Sequence, residues 1–249
     1  MLVGYSAVSQ VITVKQDGTG DYILIQDAVD QSMDGDTILV YPGIYVENVY
    51  YNGKNLTLGS LALITGDLSY IGQTVIDGNQ SGPCVTIYNS NTGSKVCGFS
   101  LRNGNGREHG FISGGGIFVK YSKVHLEDCN IHNNKVTGKG GGLFCHESNM
   151  YLSGVTIKTN YAYKDGGGIQ FQGNVMEFDT TNLCNIYLNY AKEGTDISKN
   201  SDSSMHVVVD TFTVLQPDAY YIYSSYANAI LLDDITWEVK HGKIQTVSE

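Results

Sequence analysis

A block of three glycines followed by a branched aliphatic residue occurs three times in this chain at a constant spacing. The blocks begin at Gly114, Gly140 and Gly166, so consecutive copies start 26 residues apart. A fixed period of this length is typical of repeat architectures, in which each unit buries its apolar side against its neighbours. The centre of the chain is therefore predicted to be a stack of similar coils.

The chemistry of the unit repeats together with its length. Between the apolar positions the residues alternate with polar ones, which is the period of a strand with one buried face. Each unit is predicted to hold about three short strands, with like residues stacked in ladders. The apolar columns are Val119, Cys145 and Phe171; Val124, Met150 and Met176; and Leu126, Leu152 and Phe178.

Each copy also closes on the pattern Ile-x-x-Asn, which ends at Asn134, Asn160 and Asn189. Stacked amides can satisfy one another and the corner backbone, so these three residues are predicted to form a structural ladder. Replacing one of them with Leu is expected to destabilise its coil.

Two solenoid folds are consistent with this pattern. The run from Leu126 to Asn134 matches the core of a leucine-rich repeat as well as that of a β-helix. A leucine-rich repeat needs a convex, usually helical segment after its Asn, whereas residues 137–139 lead into three glycines and another strand. Because consecutive glycines oppose a helix, the pattern favours an all-β, right-handed parallel β-helix solenoid.

Composition and charge exclude some classes of protein. The chain has 249 residues, 41% hydrophobic and 16% charged, with 30 Gly and 3 Pro, which suits a β-solenoid rather than a disordered chain. A formal net charge of -10 argues against a nucleic-acid partner, whose phosphates demand a basic surface. No apolar run approaches the roughly 18 residues of a membrane helix, so no transmembrane segment is predicted.

The chain divides into a start, a solenoid and a less regular end. Residues 1–10 hold no complete signal peptide and are interpreted as a leader remnant or a disordered start. Residues 11–249 are predicted to be one β-helix domain: a cap and first coils over 11–60, the three repeats over 114–191, and a terminal coil or cap over 205–249, cut from a longer protein. The polar stretch 194–204 is predicted to be a loop and 205–214 a strand.

The cysteines and histidines do not indicate a metal. Cys129 shares its column with Val155, and Cys145 with Val119 and Phe171, so the cysteines are interpreted as buried, free fillers of the interior. The six histidines show no metal-ligand spacing, and neither a metal site nor a cofactor is predicted. The five cysteines, an odd number, are Cys84, Cys97, Cys129, Cys145 and Cys184.

The N-terminal segment combines a Gly-rich turn, one short helix and further strands. Ile25, Ala28 and Val29 fall on one face of that helix, which is predicted to close the open end of the solenoid. Together with the segments Val14–Tyr22, Asp34–Val40, Pro42–Glu47 and Lys54–Leu58, it resembles the opening of pectin methylesterases and other pectin-lyase-like β-helix proteins over about the first 60 residues.

The central blocks carry a second resemblance. A Gly-Gly-Gly-Ile/Leu block alternating with an Ile-x-x-Asn block resembles the repeats of polymorphic outer-membrane proteins and of large bacterial secreted β-helix proteins. In those families such repeats form passenger or surface regions. The resemblance therefore implies export, an extracellular or cell-surface location and further domains of the same polypeptide, rather than a reaction.

The pectin methylesterase resemblance does not extend to catalytic residues. That family carries aspartates in a Gln-Ala-type segment and in an Asp-Phe-Ile/Val-Phe-Gly segment, and an Arg in a Gly-Arg-Pro-Trp segment; none occurs here, and Trp237 lacks a neighbouring Arg-Pro. The carboxylate cluster of pectate lyases is missing too. Asp233-Asp234 alone faintly resembles the polygalacturonase pattern. Calcium would be needed only if the chain were a lyase.

One carboxylate pair is a weak catalytic candidate. Glu127 and Asp179 fall on the same outward column two coils apart, with Ser153 between them. A strand spacing of about 4.8 Å predicts a separation of about 9–10 Å, at or beyond the upper end for an inverting glycosidase pair. The simpler interpretation is two solvated carboxylates.

Two further segments are candidate binding sites. The longest interruption of the repeat, residues 104–113, holds Arg107, Glu108 and His109, which could bind an acidic sugar; Arg107 is also a weak catalytic candidate. Near the C-terminus, exposed aromatic rings could stack on sugars. A solvated insertion and ordinary end packing are the respective alternatives. The aromatic residues are Tyr220, Tyr221 and Tyr223.

The leading hypothesis is a non-catalytic exported or cell-surface module, a spacer, adhesion or surface-recognition region of a larger bacterial protein. Two alternatives stay open: a carbohydrate-active enzyme acting on a pectin-like polyuronate, and a carbohydrate-binding module. An enzyme needs ionisable groups that converge in a groove, and a binding module needs exposed aromatic residues in a line. The expected partner is a polysaccharide or a cell-surface glycan.

Overall fold

The computed structural model is a parallel β-solenoid of about seven turns. It describes residues 9–108, 111–199, 204–212 and 235–239. Successive turns add strands to three faces, which we call the first, second and third face, and the pairing between turns is parallel. The all-β solenoid predicted from the sequence is therefore confirmed.

The strands, numbered in chain order, stack face by face. The first face contains β1 (Val11–Val14), β2 (Thr37–Val40), β5 (Thr57–Ser60), β8 (Ser94–Cys97), β13 (Lys123–Glu127), β17 (Asn149–Ser153), β21 (Val175–Phe178) and β24 (Ser204–Phe212). The second face contains β3 (Gly43–Val46), β6 (Thr74–Asp77), β9 (Ser100–Arg102), β14 (Asn130–His132), β18 (Thr156–Lys158) and β22 (Cys184–Tyr187).

The third face contains β4 (Val49–Tyr50), β7 (Val85–Tyr88), β12 (Ile117–Lys120), β16 (Leu143–His146), β20 (Ile169–Gln172) and β23 (Ile197–Lys199). Between the second and third faces lie the short parallel strands β15 (Lys135–Val136) and β19 (Tyr161–Ala162). An antiparallel hairpin joins β10 (Arg107–Glu108) to β11 (Phe111–Ile112), and β25 (Ile235–Val239) pairs with β24.

The register stacks like residues on like residues. Val124 pairs with Met150, which pairs with Met176, and the other apolar columns expected from the repeat are aligned in the same way. The side chains of these columns are almost completely buried. Removing one such side chain from water stabilises the fold by about 1.5–3 kcal/mol, and a single coil has no partner surface against which to bury it.

A seven-residue helix, α1 (Ile25–Gln31), covers the first coils and buries Ile25, Ala28 and Val29 completely. The carboxylate of Glu47, from a strand connection in the next coil, accepts the backbone N–H groups of Ile25 (3.0 Å) and Gln26 (2.9 Å). These donors have no partner inside a helix, and an anion there also complements the helix dipole. The predicted capping helix is confirmed.

Two shorter helices, α2 (Ala62–Thr65) and α3 (Ser69–Gln73), lie between β5 and β6. No helix in the described ranges is long and apolar enough to cross a membrane.

The triple glycines are required because two coils meet there backbone to backbone. The first glycine of each block has a left-handed backbone, with φ of 71° at Gly114 and 66° at Gly140. The middle glycine faces the next coil: a Cβ on Gly141 would lie 2.5 Å from the carbonyl oxygen of Gly167. Any larger residue at the middle position forces the coils apart.

We expect Gly141→Ala to lower the free energy of unfolding by about 1–3 kcal/mol, because the added methyl overlaps a carbonyl that cannot move independently. Gly72→Ala is the matched control, since Gly72 lies in α3 with nothing within 4 Å of an added Cβ. That change should be neutral or stabilise by about 0.4–1 kcal/mol. Urea unfolding followed by circular dichroism measures both, and equal effects would contradict the stacking explanation.

The asparagines that close the repeats stack inside the solenoid. Asn160, which is 1% exposed, makes four side-chain hydrogen bonds. Its Nδ2 donates to the Ile131 carbonyl (2.9 Å) and to Oδ1 of Asn189 (3.0 Å), while its Oδ1 accepts from the backbone N–H (3.1 Å) and Nδ2 (3.0 Å) of Asn134. The Asn160 amide therefore binds the corner of the preceding coil and the Asn189 side chain of the following coil.

The ladder has a distinct partner at each end. Oδ1 of Asn134 accepts the backbone N–H of Gly104 (2.8 Å), which occupies the equivalent corner of the preceding coil. At the other end, Oδ1 of Asp196 accepts both the backbone N–H (3.1 Å) and Nδ2 (2.8 Å) of Asn189. Asp196, fully buried, was not anticipated from the sequence.

We expect Asn160→Leu to destabilise the chain by about 2–4 kcal/mol, since it leaves two buried backbone groups of the preceding coil, the Ile131 carbonyl and the Asn134 N–H, without that partner. Asn149→Leu changes an exposed residue of the same repeat and should stay within about 0.5 kcal/mol of the wild type. The melting temperatures of both variants provide the check. An Asn160→Leu variant as stable as the Asn149→Leu control would refute a stabilising ladder.

The prediction of a loop over 194–204 is wrong for its first half. Gly194 has the left-handed backbone of a first glycine, with φ of 57°, and Ile197 pairs with Ile169. The stretch is thus a fourth, degenerate copy of the glycine block. Its polar composition concealed this, because Asp196 is buried by hydrogen bonds rather than by apolar contact.

Other boundaries differ in smaller ways. Residues 104–113, predicted to be a loop, contain the β10–β11 hairpin. The strand predicted over 205–214 runs from Ser204 to Phe212 and pairs with both β21 and β22, so it joins the first and second faces.

Candidate functional site

A groove of about 350 Å³ lies on the outer surface of the first face. It spans three turns, because β13, β17 and β21 pair in parallel register. Two outward columns line it. One contains Lys123, Asn149 and Val175, and the other contains His125, Tyr151 and Glu177.

An aromatic pair forms the centre of the groove. The rings of His125 and Tyr151 are tilted by 41°, with their centroids 5.4 Å apart. The Tyr151 hydroxyl donates a hydrogen bond of 2.9 Å to Oδ2 of Asp179. This bond to a carboxylate raises the pKa of Tyr151, and burial adds to the effect. The phenol therefore stays protonated, and its ring is held in one orientation.

Asp179 accepts hydrogen bonds on both carboxylate oxygens. Oδ1 accepts from the backbone N–H (2.8 Å) and hydroxyl (2.7 Å) of Thr181 and from the backbone N–H of Asn182 (3.1 Å). Oδ2 accepts from Tyr151 and from the Ser153 hydroxyl (2.9 Å). These bonds, those from Thr181 above all, hold the pKa of Asp179 well below its usual range. The carboxylate is ionised and its acceptor positions are occupied.

Glu127 is bound differently. It forms an ion pair with Lys95 of the preceding turn. Its carboxylate also lies in a group with the Cys97 thiol and the Asp128 carboxylate, whose potential metal-ligating atoms lie within 4.8 Å of one another. The sequence search missed this group, although a shift of 30 residues places Cys97 beside Glu127.

The Cys97 group does not have the features of a built metal site. Asp128 already accepts a hydrogen bond of 2.9 Å from Nδ2 of Asn182, and Lys95 neutralises Glu127. Burial, with Glu127 second, raises the pKa of Cys97 to about 12, so the thiol is protonated near neutral pH.

The structure places Glu127 and Asp179 in one column with Ser153 between them, as the sequence pattern indicates. Neither residue lines the groove. A general acid must hold a proton and a general base must present a free lone pair. Glu127 is paired with a lysine and Asp179 is saturated with donors, so the arrangement does not resemble an acid–base pair.

A serine–histidine contact on the second face is also unsuited to catalysis. The Ser100 hydroxyl lies 2.8 Å from Nε2 of His132, and the Asn133 amide nitrogen lies 3.1 Å from Nδ1. With the amide donating to Nδ1, the ring proton is on Nε2 and donates to Ser100, the reverse of what a nucleophilic serine needs. Ser100 is also only 6% exposed.

The other binding candidates are only partly described. Arg107 is exposed in β10, where its backbone pairs with Ile112. Glu108 follows in the same strand, and His109 lies outside the described residues. The aromatic candidates near the C-terminus lie outside the described residues too, namely Tyr220, Tyr221 and Tyr223.

Sequence reasoning missed the groove itself. His125, Tyr151 and Glu177 are spaced by 26 residues, so the repeat that aligns the core also aligns them. The signal was present in the polar positions between the apolar columns. It was overlooked because the repeat was aligned by its apolar residues.

Comparison with known proteins identifies no family for this chain. No protein-family model matches it, and no curated protein sequence matches it. Among solved structures, it is similar to a pectin methylesterase from carrot, with 13% identity, coverage of 99% of this chain and 91% of that chain, and a TM-score of 0.47. It is also similar to a pectin methylesterase from Aspergillus niger, with 14% identity, coverage of 98% and 93%, and a TM-score of 0.39. Similarity at this level carries no information about activity.

We expect Asp179→Asn to lower the melting temperature at pH 7, with a difference from the wild type that shrinks below about pH 4. The folded-state pKa of Asp179 is depressed, so its stabilisation is complete above the unfolded-state pKa and is lost as the pH falls through the folded-state value. Glu177→Gln, an exposed neighbour on β21, is the control. Thermal melts from pH 2.5 to pH 7 give the comparison; a pH-independent difference for Asp179→Asn would contradict the ionic explanation.

Proposed function

We propose that this chain is a non-catalytic glycan-recognition module that binds a segment of polysaccharide along the groove of the first face. The observation that carries the proposal is the His125–Tyr151 pair, in which His125 is exposed and Tyr151 half-buried, flanked by polar side chains on two adjacent columns. The carboxylates beside the groove are engaged within the chain. Neither of these two carboxylates, Glu127 and Asp179, is free to exchange a proton with a ligand in the groove.

Each lining residue has a distinct part in such binding. The rings of Tyr151 and His125 provide flat surfaces for the C–H face of a sugar ring. Lys123 and Asn149 supply hydrogen-bond donors for hydroxyl oxygens, and Glu177 supplies acceptors. These five side chains project from paired strands, so little conformational entropy is lost when a sugar chain binds.

The enzyme alternative is less well supported. It requires ionisable groups in the groove that lie close enough to act together on one substrate bond as acid and base. Glu177 is the carboxylate lining the groove in the described part of the chain, and the other ionisable side chains there, His125 and Lys123, lie on β13, two strands away from it. Export, a cell-surface location and membership of a larger bacterial protein are proposed on the resemblance of the central repeats alone.

Variants of the aromatic pair test the proposal. We expect Tyr151→Ala and His125→Ala each to weaken polysaccharide binding by about tenfold, the loss of roughly one ring contact. Tyr151→Phe should retain most of the affinity, because it keeps the ring and loses only the hydroxyl. Tyr70→Ala, on α3, is the matched control and should bind like the wild type. Affinity electrophoresis through neutral polysaccharides measures all four variants.

The same preparations are assayed for released reducing sugar and for released methanol on pectins, with and without calcium. Product release would overturn the non-catalytic assignment. Failure of the wild type to bind any neutral polysaccharide, or full binding of such a polymer by the Tyr151→Ala/His125→Ala double variant, would overturn the groove assignment. Circular dichroism confirms that each variant is folded.

A further inference from the structure

A second aromatic surface lies at the corner between the second and third faces, away from the groove. The short strands β15 and β19 bring Lys135 beside Tyr161, and Tyr161 pairs in turn with Tyr190. The next residue of each strand points inward and is buried, as Val136 and Ala162 are. The outward residues therefore form a column across three turns.

The rings of this column are stacked. Tyr161 and Tyr190 lie with centroids 5.1 Å apart and an interplanar angle of 12°. The Lys135 ammonium lies 5.3 Å from the centroid of Tyr161, on the side of the preceding turn. Tyr190 is nevertheless 59% exposed. A stacked tyrosine that leaves most of its surface in water offers a face on which another ring can pack.

A parallel column runs beside the first one. Tyr163, two residues after Tyr161, is 66% exposed, and Lys192, two residues after Tyr190, is exposed on the next turn. We call the five residues Lys135, Tyr161, Tyr163, Tyr190 and Lys192 the tyrosine strip. Exposed aromatic residues in a line are the feature that a carbohydrate-binding surface requires and that a simple spacer does not.

The charge around the tyrosine strip is opposite to that of the chain as a whole. The chain has a formal net charge of -10. At this corner Lys135, Lys164 and Lys192 are exposed, and Glu193 is the exposed carboxylate that faces them. The neighbouring carboxylate, Asp165, is paired with Lys139 at 2.5 Å. A positive, aromatic surface on an acidic protein favours an anionic ligand with flat apolar faces.

We infer that the tyrosine strip is a second ligand-binding surface, distinct from the groove, and that its ligand is a carboxylated polysaccharide. The exposed rings of Tyr163 and Tyr190 pack against the C–H faces of the sugar rings, while Lys135 and Lys192 pair with the carboxylates. The two surfaces lie on different sides of one rigid solenoid, so the module can hold two glycan chains at once. Such bivalent contact increases retention at a surface without new contacts in either site.

The test compares polymers that differ in charge. Carboxymethyl-cellulose is carboxylated and hydroxyethyl-cellulose is uncharged, and the two share the cellulose backbone. Hyaluronan is a second carboxylated probe with a different backbone. We expect both carboxylated polymers to retard the wild-type chain in affinity electrophoresis, and retardation to weaken as salt is raised toward about 0.5 M. Hydroxyethyl-cellulose should not be retained by the tyrosine strip.

Two double variants locate the binding. Tyr163→Ala/Tyr190→Ala and Lys135→Gln/Lys192→Gln should each weaken binding of the carboxylated polymers by about tenfold or more. Lys135→Arg/Lys192→Arg should restore it, because the charges are kept. Lys15→Gln/Lys120→Gln removes the same net charge from other parts of the surface and should have little effect. His125→Ala/Tyr151→Ala should leave this binding intact, which separates it from binding in the groove.

Three results would overturn the inference. The first is that neither carboxylated polymer retards the wild type. The second is that the variants of the tyrosine strip bind the polymers like the wild type. The third is self-association in analytical ultracentrifugation that Lys135→Gln/Lys192→Gln abolishes, which would make a second acidic copy of the chain the occupant. A failure confined to the groove variants leaves the tyrosine strip in place.

Discussion

The close parallel stacking of one coil on the next is the constraint on which the rest of this structure depends. Adjacent coils are joined by backbone hydrogen bonds, so each residue lies directly above its counterpart one turn earlier. An interior position must then accept its own kind above and below it. Apolar side chains, amide ladders and bare glycine backbone meet this condition, and they fill most of the interior, together with buried hydrogen-bonded residues such as Ser122, Ser148 and Asp196.

The same register also aligns the outward-facing residues of successive turns. These residues do not have to be apolar, because they are not buried. It places His125, Tyr151 and Glu177 in one column and Tyr161 and Tyr190 in another, so outward side chains of successive turns form continuous lines along the solenoid. The register aligns carboxylates near the groove as well, but it does not leave them free to react. Asp179 is used to hold a turn and to orient Tyr151, and a group used in that way has no free lone pair left for proton transfer.

The repeat predicted the interior better than the ends or the surface. The apolar columns and the capping helix follow from periodicity, because burial of one face leaves a strong mark on the order of residues. The fourth glycine block was missed for the opposite reason: Asp196 is buried through hydrogen bonds to Asn189, which no hydrophobic pattern records. The column of Glu127 and Asp179 was located correctly, yet their chemistry depends on Lys95 and Thr181, whose contacts are set by side-chain geometry.

By itself, the sequence determined that the chain is a parallel β-solenoid, which residues face its interior and where each turn closes, since a period of 26 residues with aligned apolar columns admits few other folds. Only the tertiary structure decided which outward side chains meet, which carboxylates are free and where the aromatic surfaces lie. The physical reason is that burial acts on every residue of a column and is visible as a period. A binding surface depends on a few particular contacts across turns, which leave no period of their own.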